Sequence, residues 1–281
     1  MVEDANRLPS DNSPGGDAAV NSPIPAIAAT IRPSPQVVSV ITPTGNRRVL
    51  LQQALGYFRS QDYPHIEWLI LDDSAAVDEI LANLPDRNIH YEHYAGPRLT
   101  IGEKRNRLVE KARGEIIVHF DDDDFYAPCY VGAMVSALAD NNADLINLRG
   151  WYVYDRRSDF FGYWDLMHKD GPHYCCDAPG VSIVMLDQEA FKFNHLGYGF
   201  SYAYKRPVWE KYKFPAKDIA EDGEFTQAAA LQFSISGVHD TIGRCLHILH
   251  AGSTSRCFPQ YLLPGFELAQ RFPAYGLAPA V

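Results

Sequence analysis

Apolar residues fall into two alternating rhythms along the first half of the chain. The run QVVSVITPT at residues 36–44 is rich in β-branched residues and unbroken up to Pro43, as in a parallel strand buried on both faces. NRRVLLQQALGYFRSQDYP follows, with Val49, Leu50, Ala54, Leu55 and Phe58 at helical spacing and Pro64 as a stop. IEWLILDDS (66–74) predicts a second buried strand, AVDEILANL (76–84) a helix and IHYEHY (89–94) a short strand. TIGEKRNRLVEKARG (100–114) predicts a helix closed by Gly114, and EIIVHF (115–120) a third strong strand. Strands alternating with helices predict an α/β fold whose central sheet is mixed but mostly parallel, with helices on both faces.

The second half is less regular. GVSIVML (180–186) reads as a strand, EDGEFTQAAALQF (221–233) as a helix opening with acids, and CLHILHAGSTSR (245–256) as a strand running into a Gly/Ser/Thr loop. The aromatic stretch from Trp151 to Trp164 suits either a core or a sugar-stacking surface. Residues 1–35, dominated by Pro, Ala, Ser, Asn and Gly, predict a disordered tail. The remainder, 36–281, is expected to form one domain.

Composition narrows the classes. The chain has 281 residues, 46% of them hydrophobic, and a net charge of −10; that balance argues against a nucleic-acid partner or an anionic membrane surface. Five cysteines without a C-x-x-C pair indicate neither a disulfide framework nor a zinc ribbon, so a reducing, cytoplasmic setting is expected. No apolar run reaches the roughly 20 residues of a membrane span, and the N-terminus lacks the order of a signal peptide.

The sharpest feature is VHFDDDDFYAP at 118–128, four carboxylates directly after a buried strand. Neighbouring like charges repel, so either water or a cation must offset them. In an extended run Asp121 and Asp123 would share a face, their Cα atoms roughly 7 Å apart, and could serve one divalent ion. A solvated loop or a helix cap with spare acids is the bland alternative. The strand tips carry Pro43–Thr44, Asp72–Asp73 and this run, so polar chemistry gathers where α/β sheets bind ligands. Spacing alone leaves the ion-holding pair ambiguous by one residue.

VVSVITPTGNR, IEWLILDDS and GEKRNRLVEKARGEIIVHFDDDDFYAP, in that order over about residues 36–135, resemble the family-two glycosyltransferases of the GT-A superfamily. The resemblance implies a Rossmann-like GT-A fold with a nucleotide-binding half (36–135) and an acceptor-binding half (136–281). It sets the register of the acidic box at Asp121-x-Asp123, with Pro128 four residues beyond its last acid. It implies that Pro43 flanks the donor base, Asp73 accepts from the base, and Arg105, with Lys104 beside it, lies near the donor. Asp121 and Asp122 would contact ribose and metal-bound water, and Asp123 would hold Mn2+ or Mg2+. One departure is Gly45, where many relatives carry an aromatic residue, so stacking on the base from that position is not implied.

The resemblance further implies inverting transfer of a sugar from a nucleoside diphosphate sugar, UDP favoured, to a carbohydrate or glycoconjugate hydroxyl. It points to Asp222 of the Glu221–Asp222 pair as general base, with Glu221 raising its pKa, whereas residues alone equally describe a helix start. His250, ahead of the Gly/Ser loop, would join the metal or phosphate, while His247 within the strand reads as packed. Rival readings are a catalytically silent sugar- or nucleotide-binding relative, an aspartyl-phosphate phosphatase and a Ca2+ module. The phosphatase box wants Thr or Val where Phe125 stands; the calcium loop's Gly and terminal Glu are absent. The sugar, the acceptor and the oligomeric state stay open.

Overall fold

The computed structural model describes residues 36–168, 170–177, 180–187, 189, 194–253 and 255–276; the tail expected over 1–35 lies outside them. The first half runs β1 (Val38–Thr44), α1 (Arg48–Arg59), β2 (Ile66–Asp72), α2 (Glu79–Ala82), β3 (Ile89–His93), α3 (Ile101–Lys111) and β4 (Ile116–His119). Strands β3, β2, β1 and β4 lie side by side in parallel, so their carboxyl ends share one edge. Then come β5 (Phe125–Tyr126), α4 (Tyr130–Asp140), β6 (Leu145–Asp155), β7 (Phe160–Asp165), β8 (Gly171–Asp177), β9 (Gly180–Leu186) and β10 (Ala203–Lys205). The chain continues through α5 (Arg206–Lys211), α6 (Glu221–Ala229), β11 (Ile235–His239), β12 (Cys245–Leu249), β13 (Tyr261–Leu262) and α7 (Gly265–Arg271). β10 enters antiparallel between β4 and β6, while β11 and β12 run parallel to β6. Among the described residues this gives a mixed eleven-stranded sheet, with β8 and β9 as a separate ribbon.

The two-residue period of the strands divides the core between two faces. Val38, Val40, Trp68, Ile70, Ile116 and Val118 pack with Leu51, Leu55 and Phe58 of α1 and Met134 and Leu138 of α4. Ile41, Leu69, Leu71 and Ile117 pack with Leu108 and Val109 of α3, Val208 of α5 and Phe225 of α6. Each such buried side chain stabilises by about 1.5–3 kcal/mol. Trp151 and Trp164 are buried in the β6–β7 hairpin, which makes the aromatic stretch core rather than sugar platform.

Local details differ from the pattern. The helix expected over 76–84 is the single turn α2: Asp78 caps it by accepting from the Ile80 and Leu81 amides, and Pro85 follows. α3 ends at Lys111 with Ala112 extended, so Gly114 is not its stop. Gly114 permits close approach instead, since a Cβ there would lie 2.6 Å from the Ser39 amide nitrogen. β1 runs on through Pro43, which pairs with Leu71; its register with β4 ends at Ile41, leaving Pro43 a strand neighbour on one side.

Candidate active site

The acidic run is a turn, not an extended strand. β4 ends at His119 and the chain reverses over residues 121–124 into β5. Side-chain oxygens of Asp121, Asp123 and Asp124 therefore converge to within 4.8 Å of one another. Asp122 is taken by Thr44, whose hydroxyl donates to it, and by Arg47 at 2.9 Å. The turn is fixed from below by Tyr126, whose hydroxyl accepts from the Asp121 amide (2.9 Å) and donates to the Phe200 carbonyl (2.9 Å).

Each carboxylate has a different neighbour. Asp124 is buried and faces β12, taking the Ile248 amide on one oxygen (2.8 Å) and His247 Nδ1 on the other (2.8 Å). Burial works against charge on His247, but Asp124 outweighs it and holds the imidazole well above its ordinary pKa. His247 was expected to be merely packed; it also forms this ion pair. His250 Nε2 lies 3.0 Å from Asp123 Oδ2. Burial and neighbouring acids push Asp121 up to about 7 and Asp122 up to about 6, although Arg105 and Arg47 pull the other way. Crowded carboxylates held this far from their ordinary range gain from a divalent cation. Asp121, Asp123 and Asp124 are the converging group that could offer such an ion oxygen donors suited to Mn2+ or Mg2+, whereas His250 Nδ1 accepts from the Gly252 amide at 3.0 Å, so its Nε2 carries the proton and donates to Asp123.

A cavity of about 480 Å3 opens on this turn, and its wall joins both halves of the domain: Pro43, Arg105, Asp121, Asp123, Asp222 and His247 all contribute. Arg105 is buried in α3, ion-paired with Glu221 and 3.6 Å from Asp121. Glu221 thus turns to Arg105, and burial raises its pKa against that pairing. Asp222 faces the cavity with its oxygens fixed by the Gly199 amide (2.5 Å) and the Gly223 amide (2.7 Å). Ala220 just ahead adopts the left-handed φ of 63°, a conformation that costs a non-glycine residue roughly 1–2 kcal/mol and tends to persist at functional sites. Gly199 is required by space: a Cβ would meet Arg105 Nη1 and Asp222 Cβ, each at 2.9 Å.

Asp73 stands apart from this group. One oxygen pairs with Lys104 and the other accepts from the Leu99 amide at 3.0 Å. Lys104 also donates to the Thr44 carbonyl at 2.6 Å. Among the described residues Asp73 is not part of the cavity wall, whereas Pro43 is. The sequence reading missed Arg47, Asp124 and Gly199. Only Arg47 left a signal, as a cation directly after the strand tip that faces four acids.

Residues 39–196 match the profile of Glycosyl transferase family 2, more than half of the chain. The chain belongs to this family. Among curated family relatives, the GalNAc(5)-diNAcBac-PP-undecaprenol beta-1,3-glucosyltransferase of Campylobacter jejuni is 37% identical over 95 residues, 31% of this chain and 29% of that protein. The putative glycosyltransferase EpsH of Bacillus subtilis is 25% identical over 196 residues, 66% of this chain and 53% of that one. The chain thus spans about half or less of the length of these relatives. Among solved structures, S. aureus TarS 1-349 in complex with UDP-GlcNAc superposes with a TM-score of 0.57 at 19% identity, covering 77% of this chain and 60% of that one. The mannosyltransferase PcManGT of Pyrobaculum calidifontis, in complex with GDP-Man and Mn2+, gives 0.53 at 19%, covering 79% and 59%. These likenesses establish the GT-A, Rossmann-like fold. No helix among the described residues is long and apolar enough to cross a membrane.

Proposed function

We propose that the chain transfers a sugar from a nucleoside diphosphate sugar, UDP-linked, to a hydroxyl of a carbohydrate or glycoconjugate acceptor, with inversion. The supporting observation is one cavity that carries the Asp121–Asp123 turn on one wall and Asp222 on another. Residues 36–135 then bind the nucleotide and 136–281 the acceptor. Asp121 and Asp123 would hold Mn2+ or Mg2+, which supplies charge neutralisation for the departing diphosphate, with His250 steadying Asp123.

The remaining roles belong to the chain's own groups. Asp222, oriented by two amides, takes the acceptor proton as the hydroxyl oxygen bonds to the anomeric carbon and the bond to the diphosphate breaks. Arg105 fixes Glu221 beside it and so sets the position of the first turn of α6. Pro43 lines the donor end.

The test is incubation with UDP-sugars and Mn2+, reading UDP release and the anomeric configuration of the product. Release with an inverted product supports the reading. UDP binding without release would assign a silent binder, and a retained configuration would remove Asp222 as base.

A further inference from the structure

We propose that Arg47 is a positioning residue that occupies Asp123 until the divalent ion binds and then turns to the donor's diphosphate; this rests on the function proposed above. Arg47 follows the tip of β1 at the N-cap of α1, and its side chain turns to the acidic run. Its Nη1 lies 2.9 Å from Asp122 Oδ1 and 2.8 Å from Asp123 Oδ2. Its Nη2 donates to the Gly252 carbonyl at 3.0 Å, in the loop after His250. One guanidinium therefore joins the strand tip, the acidic turn and the loop that follows β12.

The decisive point is the shared oxygen. Asp123 Oδ2 meets both Arg47 and His250 Nε2, at 2.8 and 3.0 Å. An ion bound to that oxygen at about 2.1 Å would lie within about 5 Å of Nη1, where like charges repel. The ion therefore competes with the guanidinium for it. Asp122, outside the converging trio and held by Thr44, remains as a pivot for Arg47. Arg47 lines the same cavity as Asp121 and Asp123, so a guanidinium freed from Asp123 is beside the anionic diphosphate that arrives with the ion. The residue thus opposes the ion when it is alone and supports the ion–donor pair when both are present.

The two arms have opposite signs, which a merely structural role would not produce. Titration calorimetry with Mn2+ alone should show Arg47→Gln binding about tenfold tighter than wild type, the scale of one removed charge repulsion in a partly solvated site. Titration with UDP at saturating Mn2+ should show the same variant binding about tenfold more weakly, the scale of one lost charge-assisted contact. Arg47→Lys, which keeps the charge but reaches one carboxylate, should shift both in the same directions by less, and it serves if Arg47→Gln fails to fold. Equal Mn2+ affinity in wild type and variants, weaker Mn2+ binding in the variants, or unchanged UDP affinity each overturns the proposal. Wild type that binds neither Mn2+ nor UDP overturns the proposed function as well, which separates the two failures.

Discussion

Asp124 and His247, 123 residues apart in sequence, form a buried ion pair at 2.8 Å that ties the acidic turn to the strand leading to His250. The same carboxylate takes the Ile248 amide, so β12 is docked through both backbone and side chain. Asp124→Ala leaves the imidazole and the amide without their partner. We expect a loss of about 3–5 kcal/mol in urea unfolding, with weaker Mn2+ binding because Asp124 is one of the three converging carboxylates. A change below about 1 kcal/mol would show that the pair is solvated rather than buried.

Asp222→Asn keeps the shape of the side chain and one of its two amide contacts, since its NH2 cannot accept from the Gly199 or Gly223 amide, and it removes the proton acceptor. Transfer should fall by about 10^2–10^4-fold while UDP affinity stays at the wild-type level. The measurements are initial rates of UDP release and calorimetric UDP binding. Transfer at the wild-type rate would take Asp222 out of the mechanism.

Gly45→Ala tests the crowding around the Asp73–Lys104 pair beside the tip of β1. The added Cβ would stand 2.3 Å from Asp73 Oδ1 and 3.2 Å from Lys104 Nζ, so the Asp73–Lys104 pair must shift. Overpacking of this kind costs about 1–3 kcal/mol. A lower thermal midpoint is expected; an unchanged value would mean that the pair relaxes freely.

Acid should weaken the fold through Glu67. Burial works to raise its pKa, but the Ser39 hydroxyl, the Arg113 amide and Arg113 Nε, each at 2.6 Å, outweigh it and hold the carboxylate below its ordinary 4.5. The unfolded chain therefore takes up this proton more readily than the folded one. The stabilisation is complete above pH 4.5 and is lost as pH falls through the lower folded value. Urea midpoints of wild type and Glu67→Gln should differ at pH 7 and approach each other towards pH 3. A constant difference would contradict this assignment.

The parallel half of the fold was legible because its strands are buried on both faces and appear as unbroken apolar runs. The site was legible as far as strand tips go. The rule that ligands gather at carboxyl ends pointed to Pro43 and the acidic run, which line the cavity, and equally to Asp73, which does not; the Asp121-x-Asp123 register came from the family resemblance. What lay beyond reach depends on loops that meet across the chain. Nothing local announces that Arg47 meets Gly252 or that Asp124 meets His247. The shape of the acidic turn was misjudged for a related reason. Alternation holds only while a strand continues, and β4 stops at His119.

Arg105 pairs with Glu221 while lying 3.6 Å from Asp121. One rigid, permanently charged fork therefore gauges the gap between the acidic turn and the helix that carries Asp222. Under the proposed reaction that gap is the space an incoming alcohol must enter. Enlarging the acceptor repertoire would then require resetting α6 and α3 together, since neither can drift without dragging the other.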